Sequence, residues 1–221
     1  MKKAFTMVEL VFVIIVLGIL TSMSLNRIER DIKQEAADNI LSAIRYTQHL
    51  ALIDDKQNYK ENDWYRSLWV IRFEQNDNKW RYKIGSDMDK EGNIDNEEAA
   101  IDPLSGKYLF STDNVEDKNE SSTIFLTNKY GITDISFNDC KGTRDTSAKH
   151  IAFDHLGRPH RGVLYTTSSI SGSSTPINTL PTYISNKNCE IDFEFGSEDN
   201  NLTIIIQRET GYAYIKNQPD S

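Results

Sequence analysis

The chain has 221 residues, with 33 acidic residues against 25 Lys and Arg, and a formal net charge of −8. This balance argues against a nucleic-acid-binding protein, because phosphates attract basic surfaces. The length allows one domain with a single hydrophobic core beside an N-terminal segment.

The N-terminal segment is basic at Lys2 and Lys3 and predominantly apolar from Met7 to Leu25, except for the carboxylate of Glu9. Such a run approaches the ~20 residues that cross a bilayer as a helix. The lysines predict a cytoplasmic N-terminus, with the rest of the chain sent across the membrane. The alternative is a secretory signal peptide cut after residues 21–24. Glu9 favours a retained helix over 5–25, since a buried carboxylate requires a partner.

The string from Lys3 to Leu10 resembles the class III leader of type IV pilins and type II secretion pseudopilins. The resemblance implies a leader over 1–4, cut between Ala4 and Phe5 by a prepilin peptidase, and methylation of the new amine of Phe5. Ala4 departs from the family, which usually has Gly before the cut. The resemblance also implies that Glu9 pairs with the Phe5 amine of a neighbouring subunit during filament assembly. The other interpretation places the Glu9 side chain at the lipid headgroups.

Residues 26–54 predict an amphipathic continuation of the helix. Apolar residues recur at steps of three or four residues, as on one helix face, while charged residues fill the other face. The apolar set is Ile28, Ile32, Ala36, Ala37, Ile40, Leu41, Ile44 and Ala51. The predicted fold class is therefore α+β: a long N-terminal helix, with a membrane-spanning first half and an amphipathic second half, packed on an antiparallel β-sheet head.

The head, residues 55–221, consists of short runs with strand composition between polar turns. Residues 64–74 and 79–84 predict a hairpin around 75–78. The remaining strands are predicted at 108–110, 123–127, 132–137, 150–153, 162–166, 190–195, 202–207 and 212–215. The stretches 151–159 and 202–212 resemble the GspH/FimT type of minor pseudopilin or minor pilin, in which they are strand and turn elements of the head.

Residues 87–98 follow the pattern of a twelve-residue calcium loop, with oxygen ligands at alternate positions, Gly92 at the sharp turn and an acid at the last position. The candidate ligands are Asp87, Asp89, Glu91, Asn93, Asp95 and Glu98. Glu91 stands where a shorter Asp or Asn is usual. The sequence predicts a calcium site in a β context, and the alternative is an acidic, solvated turn.

Cys140 and Cys189 are the only cysteines, and a head outside the cytoplasm would allow them to form a disulfide. Asn119 and Asn201 lie in acceptor patterns for N-linked glycan. His155, Arg158, His160 and Arg161 form a small basic cluster that predicts either a solvated turn or a contact with DNA or an acidic partner. The sequence carries no nucleophile motif or phosphate-binding glycine loop, so we expect no enzyme.

These observations predict a minor pseudopilin or pilin-like structural subunit of a type II secretion system or a related filament machine. Its expected partners are a prepilin peptidase, other pilins or pseudopilins, and the membrane. The expected location is the bacterial inner membrane, single pass, with a cytoplasmic N-terminus and a periplasmic head. Two alternatives remain: a type IV pilus minor pilin for fibre priming or DNA uptake, and a membrane-tethered, calcium-dependent binding module.

Overall fold

The structure is a computed structural model, which describes residues 6–58, 60–61, 63–140, 149–164, 187–196 and 201–218, with 22–31 described as helical backbone alone. Its helices are α1 (Met7–Ile53) and α2 (Leu126–Tyr130). Short 3-10 helices lie at Trp64–Ser67, Asn96–Glu98 and Ser122–Ile124.

The described strands form two four-stranded antiparallel sheets. The first sheet has the order β2-β1-β4-β5 and consists of β1 (Trp69–Asn76), β2 (Lys79–Ser86), β4 (His150–Phe153) and β5 (Pro159–His160). The second has the order β3-β6-β7-β8 and consists of β3 (Asp134–Asn138), β6 (Cys189–Glu194), β7 (Leu202–Ile206) and β8 (Ala213–Ile215). The head therefore has two sheets where a single one was predicted.

The predicted membrane-spanning helix over 5–25 is wrong. Within the parts of α1 whose side chains are described, no helix is both long and apolar enough to cross a membrane. This finding overturns the predicted fold class in that respect, together with the single-pass location in the inner membrane.

The amphipathic face predicted over 26–54 forms the centre of the hydrophobic core from Ala36 onward. Ala36, Ile40 and Ile44 are fully buried, whereas Ile32 is exposed. This face of α1 contacts strands of both sheets: β1, β2 and β4 of the first, and β7 and β8 of the second. One helical stripe therefore supplies a shared core for two sheets.

Aromatic rings join the two sheets next to that stripe. The ring of Phe73 on β1 lies edge-on to Phe193 on β6, with centroids 5.6 Å apart, and to Phe137 on β3 at 6.0 Å. Tyr82 on β2 contacts the same Phe73 ring at 6.3 Å. Edge-to-face pairs of this kind add about 0.5–1.5 kcal/mol each beyond the burial of their area.

The predicted hairpin is present with a tighter turn. β1 and β2 pair from Trp69↔Ser86 to Asn76↔Lys79, so only Asp77 and Asn78 connect them. Both residues have positive φ, 47° and 59°, as a two-residue turn between twisted strands requires.

Four predicted strand segments differ from the structure. The start of the first hairpin strand is the 3-10 helix at 64–67, and residues 123–127 belong to a 3-10 helix and α2. Residues 108–110 make isolated bridges, at Tyr108, without forming a strand. Residues 162–164 are not a strand, and 165–166 lie outside the described residues.

The last turns of α1 are fastened to both sheets through Gln48. Its Nε2 donates to the carbonyl oxygen of Gly157, in the β4–β5 turn, at 2.8 Å. The same nitrogen donates to the carbonyl oxygen of Thr210, in the β7–β8 turn, at 2.9 Å. Gly211 has φ +69°, and a Cβ there would meet the Gly157 carbonyl and lie 2.6 Å from the Gln48 amide. The absence of a side chain at Gly211 therefore lets the three segments meet.

Gly211→Ala should destabilise the protein by about 2–4 kcal/mol, because it adds overpacking to an unfavourable φ. The matched control is Gly106→Ala, which has φ +70° but open space around the added Cβ, and should cost only about 1–2 kcal/mol. Urea unfolding of both variants measures the difference. Equal losses of stability in the two variants would show that the close contacts at Gly211 do not contribute to the free energy of unfolding.

Candidate functional site

Glu9 lies in the first turn of α1 and forms a capping box with Thr6. The Glu9 Oε2 accepts hydrogen bonds from the backbone N–H and the hydroxyl of Thr6, both at 3.0 Å, while the Thr6 hydroxyl accepts from the Glu9 N–H at 3.3 Å. The Thr6 N–H and then its hydroxyl lower the pKa of Glu9. An ionised carboxylate also favours this end of a helix through the helix dipole. Ala4 and Phe5, the predicted processing residues, lie outside the described residues.

The apolar side chains that follow Glu9 are exposed on every side of α1. The exposed fractions of the large ones run from 37% at Val16 to 67% at Phe12. Ile14, Ile15, Val16 and Leu17 are consecutive and all exposed, and successive residues lie about 100° apart around a helix, so they cover its full circumference. Contiguous apolar surface of this kind marks an interaction site in a folded protein.

The predicted calcium loop leaves the end of β2 and returns through the 3-10 helix at 96–98. Ile94 is fully buried in a small cluster with Tyr65, Leu68 and Phe110, which holds the middle of the loop against the head. A Cβ at Gly85 would collide with the Ile94 side chain and lie 2.7 Å from the Glu98 carbonyl oxygen. The loop is therefore packed on β2.

Five of the six predicted ligands fall into two overlapping groups of carboxylates. Asp87, Asp89 and Glu98 each place an oxygen within 4.8 Å of the others, and so do Asp89, Glu91 and Asp95. The sixth, Asn93, donates its amide to the Asp95 carboxylate at 2.9 Å. The first group contains the only one of these acids that is buried, Asp87, while the second group is exposed throughout.

A buried ion cluster that the sequence did not indicate surrounds Asp154, directly after β4. Its Oδ2 accepts from the Arg158 guanidinium, with both N–O distances 2.7 Å, and lies 3.1 Å from the His160 Nε2. Its Oδ1 accepts from the N–H groups of Leu156 and Arg158 at 3.0 and 2.9 Å. One feature of the sequence could have indicated the position of Asp154: it stands three residues before Gly157. An Asp side chain at the start of such a turn commonly accepts hydrogen bonds from the turn backbone.

The basic cluster predicted at 155–161 is therefore not the solvated turn that was expected. His160 and Arg161 are buried, and the Arg158 guanidinium and the His160 ring face Asp154. The guanidinium of Arg161 lies 4.8 Å from the centre of the Phe137 ring. The cluster fastens the β4–β5 turn to the core, and its cations are directed inward.

The two cysteines are joined in a disulfide between the end of β3 and the start of β6, with their Cα atoms 4.4 Å apart. Cys140 lies two residues after β3, beside the point where Asn138 pairs with Glu190. Both candidate glycan acceptors, Asn119 and Asn201, are exposed.

Comparisons of the chain with models of known protein families, with curated proteins and with solved structures found no match.

Asp154→Asn should show how the buried cluster makes stability depend on pH. Burial alone would raise the pKa of Asp154, but the hydrogen bonds from His160 and Arg158 hold it well below its usual range. The stabilisation is therefore complete above the ordinary Asp pKa of about 3.9 and is lost as the pH falls below it. We expect the variant to be about 3–5 kcal/mol less stable at pH 7, with the difference shrinking below about pH 4.

Urea unfolding between about pH 2.5 and pH 7 measures this difference. The range extends about 1.5 pH units below the ordinary Asp pKa. Asp134→Asn is the control, because Asp134 is half exposed and lies 3.8 Å from Lys149, so it should change stability by less than about 1 kcal/mol. A difference for Asp154→Asn that is constant over the whole pH range would contradict the role of its ionised form.

Proposed function

We propose that this chain is a pilin-like structural subunit, of the minor pseudopilin kind, that assembles into a filament through the first part of α1. The observation that carries the proposal is the apolar surface of residues 7–20, exposed around the whole helix. The resemblance of residues 3–10 to the pilin leader supports it. Cleavage between Ala4 and Phe5 by a prepilin peptidase is part of the proposal.

The geometry favours several neighbours over a single partner. A helix that is apolar on all sides gains from being surrounded, whereas one docking partner would cover only one stripe of it. In a helical filament, each N-terminal helix is enclosed by those of several other subunits. The segment also tolerates such an environment, since the Thr21 hydroxyl donates to the carbonyl oxygens of Leu17 and Gly18 at 2.8 and 3.0 Å.

A filament subunit also requires a folded domain attached to its N-terminal helix, and the head is that domain. The apolar stripe of α1 from Ala36 to Ala51 is buried against both sheets, while residues 6–21 are exposed. The same helix therefore divides into a part buried in its own head and a part left for other chains. The Glu9 carboxylate, beside the backbone N–H of Thr6, lies near the point at which cleavage would create an amine.

A photoreactive benzoylphenylalanine at Leu17 should test this directly in the cells that make the protein. We expect covalent adducts in which the captured peptide comes from an apolar N-terminal helix, with this chain beginning at methylated Phe5. The control position is Leu104, an apolar residue of the head that is 95% exposed. Adducts at Leu104 but not at Leu17, or adducts to no protein at either position, would overturn the proposal.

Glu9→Val should reduce the yield of Leu17 adducts at least tenfold. The substitution removes the carboxylate that completes the capping box and that would pair with the amine of a neighbouring subunit. Glu9→Gln keeps an acceptor for Thr6 but no charge, so it separates the two effects, and we expect it to lose the adducts as well. The control is Glu209→Val, which removes an exposed head carboxylate. Unchanged adducts in Glu9→Val would show that the carboxylate has no part in assembly.

A further inference from the structure

The loop that follows β2 contains a buried acceptor atom without a donor. The Asp87 side chain has no exposed surface, and its Oδ2 accepts from the Gly92 N–H at 2.8 Å. Its Oδ1 is buried, and among the described residues it has no hydrogen-bond partner. A buried oxygen of this kind costs about 1–3 kcal/mol, and more when it is charged, unless a partner is supplied.

The unpartnered oxygen belongs to a converging set of carboxylates. Asp87, Asp89 and Glu98 bring one oxygen each to within 4.8 Å of the others. Burial, and then the neighbouring carboxylates of Asp89 and Glu98, raise the pKa of Asp87 to about 6, while the Gly92 N–H opposes that shift. Three carboxylates that converge in this way, one of them buried, are the arrangement that a bound cation would relieve.

Backbone donors hold the Glu98 carboxylate over the start of the loop. Its Oε1 accepts from the N–H groups of Met88 and Asp89 at 2.6 and 3.2 Å, and its Oε2 accepts from the Asp95 N–H at 3.1 Å. The packing of Ile94 and Gly85 fixes the same segment on β2. The site is thus formed by the fold before any ligand arrives, so a ligand would lose little free energy in ordering it.

Among the described residues, the two basic side chains near Asp87 are engaged elsewhere. The Arg66 guanidinium donates to the Lys90 carbonyl oxygen, and its lowering of the Asp87 pKa is the smallest of the named effects. The Lys90 ammonium pairs with Glu61 at 2.6 Å and with Asp63 at 2.9 Å.

We propose that Asp87, Asp89 and Glu98 bind one calcium ion, with the unpartnered Oδ1 of Asp87 as the buried ligand. Calcium accepts six to eight oxygens in flexible geometry, which suits carboxylates from a short loop, whereas magnesium requires a near-ideal octahedron. Glu91 and Asp95 lie in the adjoining exposed group and leave further oxygens within the same loop. The ion would fasten the loop between β2 and the 3-10 helix, whether or not the chain assembles into filaments.

The test uses the full purified chain, held in mild detergent and freed of divalent ions by chelation, with thermal unfolding and titration calorimetry. Millimolar calcium is the appropriate range because extracellular calcium sites bind weakly. For a domain of this size, binding at that concentration should raise Tm by about 3–8 °C. Magnesium at the same concentration should produce a much smaller rise.

Asp87→Asn should lose the calcium shift, yet without calcium it should unfold at or above the temperature of the unsubstituted protein, because it removes a repelled buried charge. Asp89→Asn, at an exposed position, should also lose the shift and covers the case in which Asp87→Asn does not fold. Glu97→Gln, an equal change of charge at an exposed loop residue outside both carboxylate groups, should keep it.

Three outcomes would overturn the proposal. The first is neither a Tm shift nor a heat of binding with calcium in the unsubstituted protein. The second is a shift that persists in both Asp87→Asn and Asp89→Asn, which would place the ion elsewhere. The third is an equal shift with magnesium, which would remove the assignment to calcium.

Discussion

The packing of one face of α1 against two sheets is the interaction on which the rest of this structure depends. Each sheet has only four described strands, and a small sheet requires a partner to bury its apolar face. Ala36, Ile40 and Ile44 supply that partner to both sheets at once. The Phe73 ring, in contact with Phe193 and Phe137, then closes the space between the sheets. Without the helix neither sheet would have a complete core.

The sequence predicted the elements whose pattern is local and strongly periodic. The spacing of apolar residues along the chain predicted the helical face from Ala36 to Ala51 and the position of the first hairpin. It also predicted the strands at 150–153, 190–195 and 202–207. The segments at 64–67 and 123–127 were mistaken for strands because short apolar runs fit both periods. The division of the strands between two sheets depends on long-range pairing, such as β3 with β6, which no local pattern reveals.

The candidate sites divide in the same way. The loop at 87–98 carries all its acids in one stretch, so the sequence indicated which residues would converge. It could not indicate that Asp87 alone is buried, since that depends on Ile94 and Gly85 closing the loop on β2. The cluster around Asp154 was misjudged for a related reason: a run of basic residues looks solvated until the buried acid that faces it is located.

Gln48 gives the molecule a mechanical property as well as a structural one. Its single amide donates to a turn of the first sheet and to a turn of the second, in the last two turns of α1. A pull along the helix axis is therefore shared between the two sheets at that point. Separation of the helix from the head under tension would have to break both attachments together, so the fold resists extraction as one unit.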